Sequence, residues 1–159
     1  MADHVRIQPV RSAEDLSAVS ALFELYAASL SVDLAYQGFR AEVTAIPGKY
    51  SPPRGELLLA RGAGGEPLGC VGLRPLSPEG RCEMKRLFLL PTARGLGLGR
   101  RLTEAVIQQA RRIGYRELLL DTLPTMTTAI GLYGQLGFRL VAPYYAPTPE
   151  GTVFMSLRL

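Results

Sequence analysis

The stretch that decides the fold is Leu87–Arg100, which reads LFLLPTARGLGLGR. An apolar strand passes into an Arg-Gly-x-Gly-x-Gly turn, and an amphipathic helix starts within that turn. Glycine adopts a positive φ at little cost and lets a ligand approach the backbone. A helix start offers unpaired N–H groups and the positive end of its dipole, which together favour a phosphate. The stretch predicts a phosphate-binding turn, with Arg94 and Arg100 adding charge-assisted contacts.

The glycine spacing excludes two familiar phosphate-binding motifs. A P-loop ends in Gly-Lys followed by Ser or Thr, and no Lys follows these glycines. A dinucleotide fingerprint is Gly-x-Gly-x-x-Gly near the start of a parallel βαβ unit. Here the third glycine comes one residue early, and the preceding strand closes a meander. A glycine turn without a ligand is the remaining alternative, although glycine weakens a helix start.

The elements before this turn are one strand, two helices and three consecutive strands. Ser12 is an N-cap candidate, and the apolar spacing after it predicts a helix to about Leu30. Short glycine- and proline-containing turns separate the three later strands, which predicts an antiparallel meander. The predicted ranges are 5–10 for the first strand, 38–45 for the second helix, and 56–61, 67–76 and 81–90 for the meander.

The elements after the turn alternate between helix and strand. We predict helices over 97–113 and 126–136, each followed by a glycine, and strands over 117–123, 138–145 and 152–159. The order β-α-α-β-β-β-α-β-α-β-β predicts a mixed sheet with helices on its faces, an α/β or α+β domain. All 159 residues fit this one domain.

Composition narrows the function classes. Lys and Arg number 18 against 14 Asp and Glu, an excess too mild to predict nucleic-acid binding. The single His4 disfavours a His-based metal site or a Ser-His-Asp triad, and Cys70 and Cys82 are expected to be small buried residues rather than nucleophiles. The sequence contains no membrane-length apolar run and no signal-peptide pattern, so we expect a cytoplasmic protein.

With these motifs in place, the sequence resembles the GCN5-related N-acetyltransferase (GNAT) superfamily. The resemblance is centred on Arg94–Gly99, which corresponds to the family's pyrophosphate-binding motif. It includes the strand before this motif and Leu119–Thr122 after it, and in all it covers roughly residues 83–145. It extends to Ala129–Phe138, which is similar to the family's A-x-x-L-Y-x-x-x-G-F segment. The resemblance implies a mixed, mostly antiparallel sheet of about seven strands with about four helices, splayed at the cofactor site. It also implies acetyl-CoA as co-substrate, with no metal, and leaves a homodimer as an expectation.

The resemblance assigns cofactor contacts to the end of the third meander strand and to the turn. The backbone of Phe88, Leu89 and Leu90 is expected to hold the pantetheine arm like an added strand, and the Leu89 N–H to serve as oxyanion donor. The N–H groups of the turn are expected to hold the pyrophosphate. The turn residues are Arg94, Gly95, Leu96, Gly97, Leu98, Gly99 and Arg100.

Acetyl transfer to an amine needs a proton acceptor and a proton donor. A free alkyl ammonium has a pKa near ~10, so a carboxylate is needed to remove its proton. Strand alternation predicts Glu83 on the same face as Leu89, which makes Glu83 the candidate base; a surface pair with Lys85 or Arg81 is the alternative. Tyr133, in the A-x-x-L-Y segment, is the candidate acid for the leaving thiolate, or else a core aromatic. Asp121 and Thr122 are expected to be structural or to face the cofactor.

The acceptor site is predicted between the early helices and the last two strands. Tyr36, Phe39, Tyr144 and Tyr145 are its candidate residues, since tyrosine rings bury area while their hydroxyls specify; a packed hairpin is the alternative. A carboxylate-bearing acceptor would suit the nearby cations, Arg40, Lys49, Arg54 and Lys85. The sequence favours an N-acetyltransferase for small molecules or amino acids. Protein or peptide acetylation and a non-catalytic acyl-CoA-binding domain stay open.

Overall fold

The computed structural model describes residues 4–159, which form seven strands and four α-helices. The strands are β1 (Arg6–Pro9), β2 (Glu56–Arg61), β3 (Pro67–Leu76), β4 (Arg81–Leu89), β5 (Glu117–Thr122), β6 (Arg139–Leu140) and β7 (Val153–Arg158). The helices are α1 (Ala13–Ser29), α2 (Phe39–Thr44), α3 (Leu98–Ile113) and α4 (Thr127–Gln135). Short 3-10 turns occupy Leu34–Gln37, Gly48–Tyr50 and Pro91–Ala93. The predicted element order is confirmed.

One sheet contains every strand, in the order β1-β2-β3-β4-β5-β7-β6. The first four strands are antiparallel neighbours, which confirms the predicted meander. β5 is parallel to β4, and the α3 crossover joins them as a parallel pair requires. β7 returns antiparallel between β5 and β6. The expected mixed, mostly antiparallel seven-stranded sheet is therefore confirmed.

The sheet opens between β4 and β5. The two strands pair over three positions only, Arg81–Glu83 against Glu117–Leu119, although β4 continues to Leu89 and β5 to Thr122. Beyond Glu83 the strands diverge, and a cavity lies between their later residues. The expected splaying of the sheet is confirmed at this point.

Each face of the sheet carries its own hydrophobic core, because alternate strand residues point to opposite sides. Leu58 and Val71 pack with α3 residues such as Leu102, while Leu57 and Leu59 pack with α1 residues such as Phe23. Glycine at position 72 is required in the second core: a Cβ there would lie 2.6 Å from the ring of Tyr50. α1 begins as predicted, since the Asp15 N–H donates to Ser12 Oγ at 3.0 Å.

A β-bulge at Arg86 corrects the predicted alternation of β4. Gly72 pairs with Lys85 and Cys70 pairs with Phe88, so one residue of β3 faces two of β4. Arg86 has a φ of 61°, the one positive φ outside glycine in residues 4–159. The extra residue reverses the faces that follow it. Met84, Leu87 and Leu89 belong to the α3-side core, whereas Phe88 belongs to the α1-side core.

The prediction that Glu83 shares a face with Leu89 is therefore wrong. Glu83 alternates with Met84, which lies on the same side as Leu89. A one-residue bulge shifts all later side chains of a strand to the other face.

The strand predicted over 138–145 is also wrong in length. β6 holds only Arg139 and Leu140, and one further ladder bond joins the Val141 N–H to Phe154 O at 2.9 Å. Pro143 cannot donate to a ladder, and the chain leaves the sheet before it. Tyr144 and Tyr145 then pack against Phe154, with ring centroids 5.1 and 5.5 Å away.

Candidate active site

The glycine turn between β4 and α3 has the backbone that a phosphate requires. Gly95 and Gly97 have φ values of 78° and 76°, and a Cβ on either would meet no atom within 4 Å. The first helical bond runs from the Arg101 N–H to Gly97 O at 3.1 Å, so the N–H groups before it have no helical partner. Within the described residues, no side chain caps this helix start. Exposed, positively polarised N–H groups fit a pyrophosphate.

The two arginines of the turn already have contacts. Arg94 Nε donates to Leu89 O at 3.2 Å, and its guanidinium lies 5.9 Å from the ring centroid of Phe88. Arg100 donates to Gln135 Oε1 at 2.7 Å. Arg94 thus lies across the β4 backbone on which the resemblance puts the pantetheine arm, and an occupant of that backbone would have to displace it.

A small cavity lies where β4 and β5 diverge. Its volume is about 80 Å³. Residues of α1, of the 3-10 turn at 34–37 and of α4 also line it. The lining residues that bear on the chemistry are Gln37, Lys85, Arg86, Asp121 and Tyr133. Among the lining residues in the described part of the chain, Asp121 is the only carboxylate.

Tyr133 enters this cavity from α4 and also packs in the core. Its ring centroid lies 5.6 Å from that of Phe138, and the residue is 5% exposed. Burial raises the pKa of the phenol above its usual value. The hydroxyl makes no hydrogen bond to another residue of the described chain, so it is free to meet a ligand.

Glu83 lies beside the cavity rather than in its lining. It is 1% exposed, and both its oxygens have partners. Arg74 Nε donates to Oε1 at 3.0 Å, and the Tyr144 hydroxyl donates to Oε2 at 2.5 Å. Burial and the Glu83 carboxylate raise the pKa of Tyr144.

Asp121, expected to be structural or to face the cofactor, is the carboxylate that lies in the cavity. Lys85 Nζ donates to its Oδ1 at 3.2 Å. The Tyr145 hydroxyl and Gln37 Nε2 donate to its Oδ2 at 2.5 and 3.2 Å. Tyr36 joins this group, accepting from Gln37 Nε2 at 3.1 Å. Sequence reasoning missed Gln37 and Lys85 as partners of Asp121, because no local signal links positions so far apart in the chain.

A second buried pair connects β4 to α2. Arg86 donates from Nε and Nη2 to the Glu42 carboxylate at 2.9 and 3.0 Å, and Tyr50 donates to Glu42 at 2.9 Å. Burial alone would raise the pKa of Glu42, but the bonds and charge of Arg86, with Tyr50 and Arg74, lower it below its usual value. Burial lowers the pKa of Lys85.

Of the predicted acceptor residues, the three tyrosines lie in or next to the cavity, whereas Phe39 lies in the α1-side core. Tyr36 lines the cavity, and Tyr145 reaches it through Asp121. Tyr144 contacts Glu83. Phe39 is 6% exposed in the α1-side core, with the Arg86 guanidinium 5.2 Å from its ring centroid. Of the four cations suggested for a carboxylate, Lys85 lines the cavity, whereas Arg40 pairs with Glu24 on the surface.

Comparison with known proteins identifies the family. Residues 19–138 match the acetyltransferase (GNAT) family. An N-acetyltransferase of Schizosaccharomyces pombe is 37% identical over 156 residues, covering 98% of this chain and 96% of that protein. The chain therefore belongs to the GNAT family, and it is an acetyl-CoA-dependent N-acetyltransferase.

Solved structures agree with this fold. An acetyltransferase from Streptococcus agalactiae superposes with a TM-score of 0.80 at 20% identity, over 98% of this chain and 99% of its own. An acetyltransferase from Salmonella typhimurium, solved with its cofactor acetyl-CoA, has a TM-score of 0.71 at 20% identity, over 98% and 94%. No helix within residues 4–159 is long and apolar enough to cross a membrane. The same residues contain no cluster of three potential metal ligands.

Proposed function

We propose that this protein acetylates a primary amine of a small molecule or amino acid, by direct attack of the amine in a ternary complex. The observation that carries this proposal is the cavity of about 80 Å³ between the diverging strands β4 and β5. Drug-sized ligands occupy pockets of roughly 300–1,000 Å³, so this space suits the reactive end of a small acceptor. Its size favours a small molecule over a folded protein.

Acetyl-CoA supplies the activated thioester, and the residues of this chain would bind it and move protons. The glycine turn would hold the pyrophosphate with the N–H groups of 94–100, and the backbone of 88–90 would hold the pantetheine arm. The Leu89 N–H keeps its predicted role as oxyanion donor. Tyr133 would give its proton to the leaving thiolate, since the residue lines the cavity and its hydroxyl has no hydrogen bond to residues 4–159. Glu83 stays a predicted proton acceptor, acting through Tyr144.

Direct attack is favoured over an acyl-enzyme. Cys70 and Cys82 are each 0% exposed, and burial raises the pKa of both thiols, that of Cys82 to about 12. A thiol that is both inaccessible and protonated is a poor nucleophile. A cytoplasmic location and a homodimer stay predictions.

The experiment that tests this function is a turnover screen with acetyl-CoA, following thiol release against amines, amino acids and peptides. We expect release that depends on a small amine and yields its N-acetyl product by mass spectrometry. Turnover of peptides alone would favour the protein acetyltransferase. Tight acetyl-CoA binding without turnover of any amine would instead indicate a regulatory acyl-CoA-binding domain.

A further inference from the structure

Lys85 and Asp121 form a charged pair inside the cavity. Their side chains are 4% and 5% exposed, with 3.2 Å between Nζ and Oδ1. Both residues line the cavity wall. A buried charge is stable only when it is paired and hydrogen-bonded. The hydrogen bonds of these two groups therefore show which of their atoms can still bind a ligand.

The ammonium of Lys85 has bonding capacity left over. It carries three donors, and its one hydrogen bond to a residue of 4–159 goes to Asp121. The ring of Tyr145 lies 5.9 Å from Nζ, which supplies a weak cation–π contact. The neighbouring Arg86 has more of its donors engaged, with two hydrogen bonds to Glu42 and one to Gln37. Lys85 is therefore the cation in the cavity with donors available to an anion.

Asp121 is anchored independently of Lys85. Its Oδ2 accepts from Tyr145 and Gln37, so the carboxylate would keep its place if Lys85 turned to a ligand. Oδ1, whose bond is to Lys85, is then available to an ammonium group. The pair thus presents one donor group and one acceptor group to the same small space.

The ion pairs at and behind the cavity balance in charge. Lys85, Arg86 and Asp121 line the cavity, and the pairs behind it add one cation and two carboxylates, Arg74, Glu42 and Glu83. A ligand with a lone ammonium would add an uncompensated charge to this poorly solvated cluster, which is costly. A zwitterion adds none, because it brings an ammonium and a carboxylate together.

We infer that the acceptor is a free amino acid or similar small zwitterion, whose ammonium pairs with Asp121 and whose carboxylate pairs with Lys85. This inference rests on the proposed N-acetyltransferase function. It adds Asp121 as the group that receives the amine and Lys85 as the residue that selects for a carboxylate.

The proton balance follows from these contacts. In this scheme Asp121, which lines the cavity, replaces Glu83 as the proton acceptor. Asp121 takes one proton from the ammonium and releases it to water, and the neutral amine attacks the thioester carbonyl. The new C–N bond forms as the C–S bond breaks, and Tyr133 gives its proton to the departing sulfur. The second proton lost by the nitrogen restores Tyr133 through water. The net reaction yields the N-acetyl amino acid, the free thiol and one proton.

The test compares each of the twenty free amino acids with its own amide at saturating acetyl-CoA, by thiol release. An amide keeps the amine but lacks the carboxylate charge. We expect at least one amino acid to exceed its amide in kcat/KM by roughly 10- to 100-fold, the worth of one charge-assisted hydrogen bond. Lys85→Gln should remove that preference by lowering kcat/KM for the amino acid alone. Arg40→Gln, which alters an exposed cation outside the cavity, should preserve it.

Two outcomes would overturn the inference while leaving the enzyme function intact. One is turnover of amides, or of amines without a carboxylate, at least as efficient as that of every amino acid. The other is a preference that survives Lys85→Gln. If no amine of any kind is turned over, the proposed function fails. Calorimetric titration of the twenty amino acids into the CoA-loaded protein then decides the site: binding weakened by Lys85→Gln supports it, and no binding overturns it.

Discussion

Arg86 donates two hydrogen bonds to the carboxylate of Glu42, from Nε at 2.9 Å and from Nη2 at 3.0 Å. The pair joins the bulge of β4 to helix α2, which is only six residues long. A non-glycine residue with φ near 61° persists only where its surroundings hold it. The contact with Glu42 therefore stabilises both the bulge and the helix over it.

Arg86→Met should destabilise the fold strongly. It leaves the Glu42 carboxylate buried with weaker partners, and loss of one member of a buried pair costs about 3–5 kcal/mol. The measurement is the free energy of unfolding in urea. Arg40→Met is the matched control, because its pair with Glu24 is exposed to solvent and its loss should leave the free energy of unfolding nearly unchanged. Equal losses for the two variants would mean that the buried pair does not anchor the bulge.

Gly97→Glu should abolish acetyl-CoA binding, with Kd rising by roughly 100-fold or more. The new side chain would be strained at a φ of 76° and would put a negative charge where the phosphates are expected. Calorimetric titration with acetyl-CoA measures the effect. Gly97→Asn is the control, since asparagine tolerates this conformation without adding charge, and should bind within about tenfold of wild type. An unchanged Kd for Gly97→Glu would remove the cofactor from this turn.

Tyr133→Phe should lower kcat while leaving acetyl-CoA affinity and thermal stability nearly intact. The ring would keep its packing on Phe138, and the hydroxyl has no hydrogen bond to lose within the described chain. Loss of a general acid typically costs roughly 100-fold or more in rate. Steady-state kinetics, cofactor titration and a melting curve give the three readouts. An unaffected kcat would assign this tyrosine to packing alone.

Glu42 should make the protein sensitive to acid. Its folded-state pKa lies below the 4.5 of the free side chain, so its stabilising effect is complete above that pH and is lost as the pH falls through the lowered value. We expect the free energy of unfolding to drop below about pH 4.5, and to drop less in Glu42→Gln. Unfolding in urea from pH 7 to 3 measures it. Glu24→Gln, at an exposed pair, should follow the wild-type slope; the same slope in Glu42→Gln would contradict the assignment.

Local chemistry made the fold predictable. The Ser12 cap and the three meander strands each follow from a pattern of a few neighbouring residues, and each was confirmed. The bulge could not be foreseen, because Arg86 is not a glycine. Its backbone is held by contacts with Glu42 and Gln37, more than forty positions away.

The candidate site was only partly predictable, because many of its contacts also join residues that are far apart in the chain. Tyr133 stands in a recognisable segment, and the structure brings it to the cavity. The hydrogen-bonded group around Asp121 could not be predicted, because its partners Lys85, Gln37 and Tyr145 come from three separate segments of the chain. Glu83 was singled out by an alternation rule that one extra residue in β4 invalidates downstream.

The short pairing between β4 and β5 has a consequence for the lifetime of the protein. Beyond Glu83, β4 and β5 no longer pair with each other. A cofactor bound along β4 would therefore fill a gap in the sheet that the chain alone leaves open. Anything that binds only the folded form adds RT ln(1 + [L]/Kd), about 2.7 kcal/mol at a hundred times Kd. The enzyme should therefore resist unfolding and proteolysis best when acetyl-CoA is plentiful, which couples its abundance to the supply of its own co-substrate.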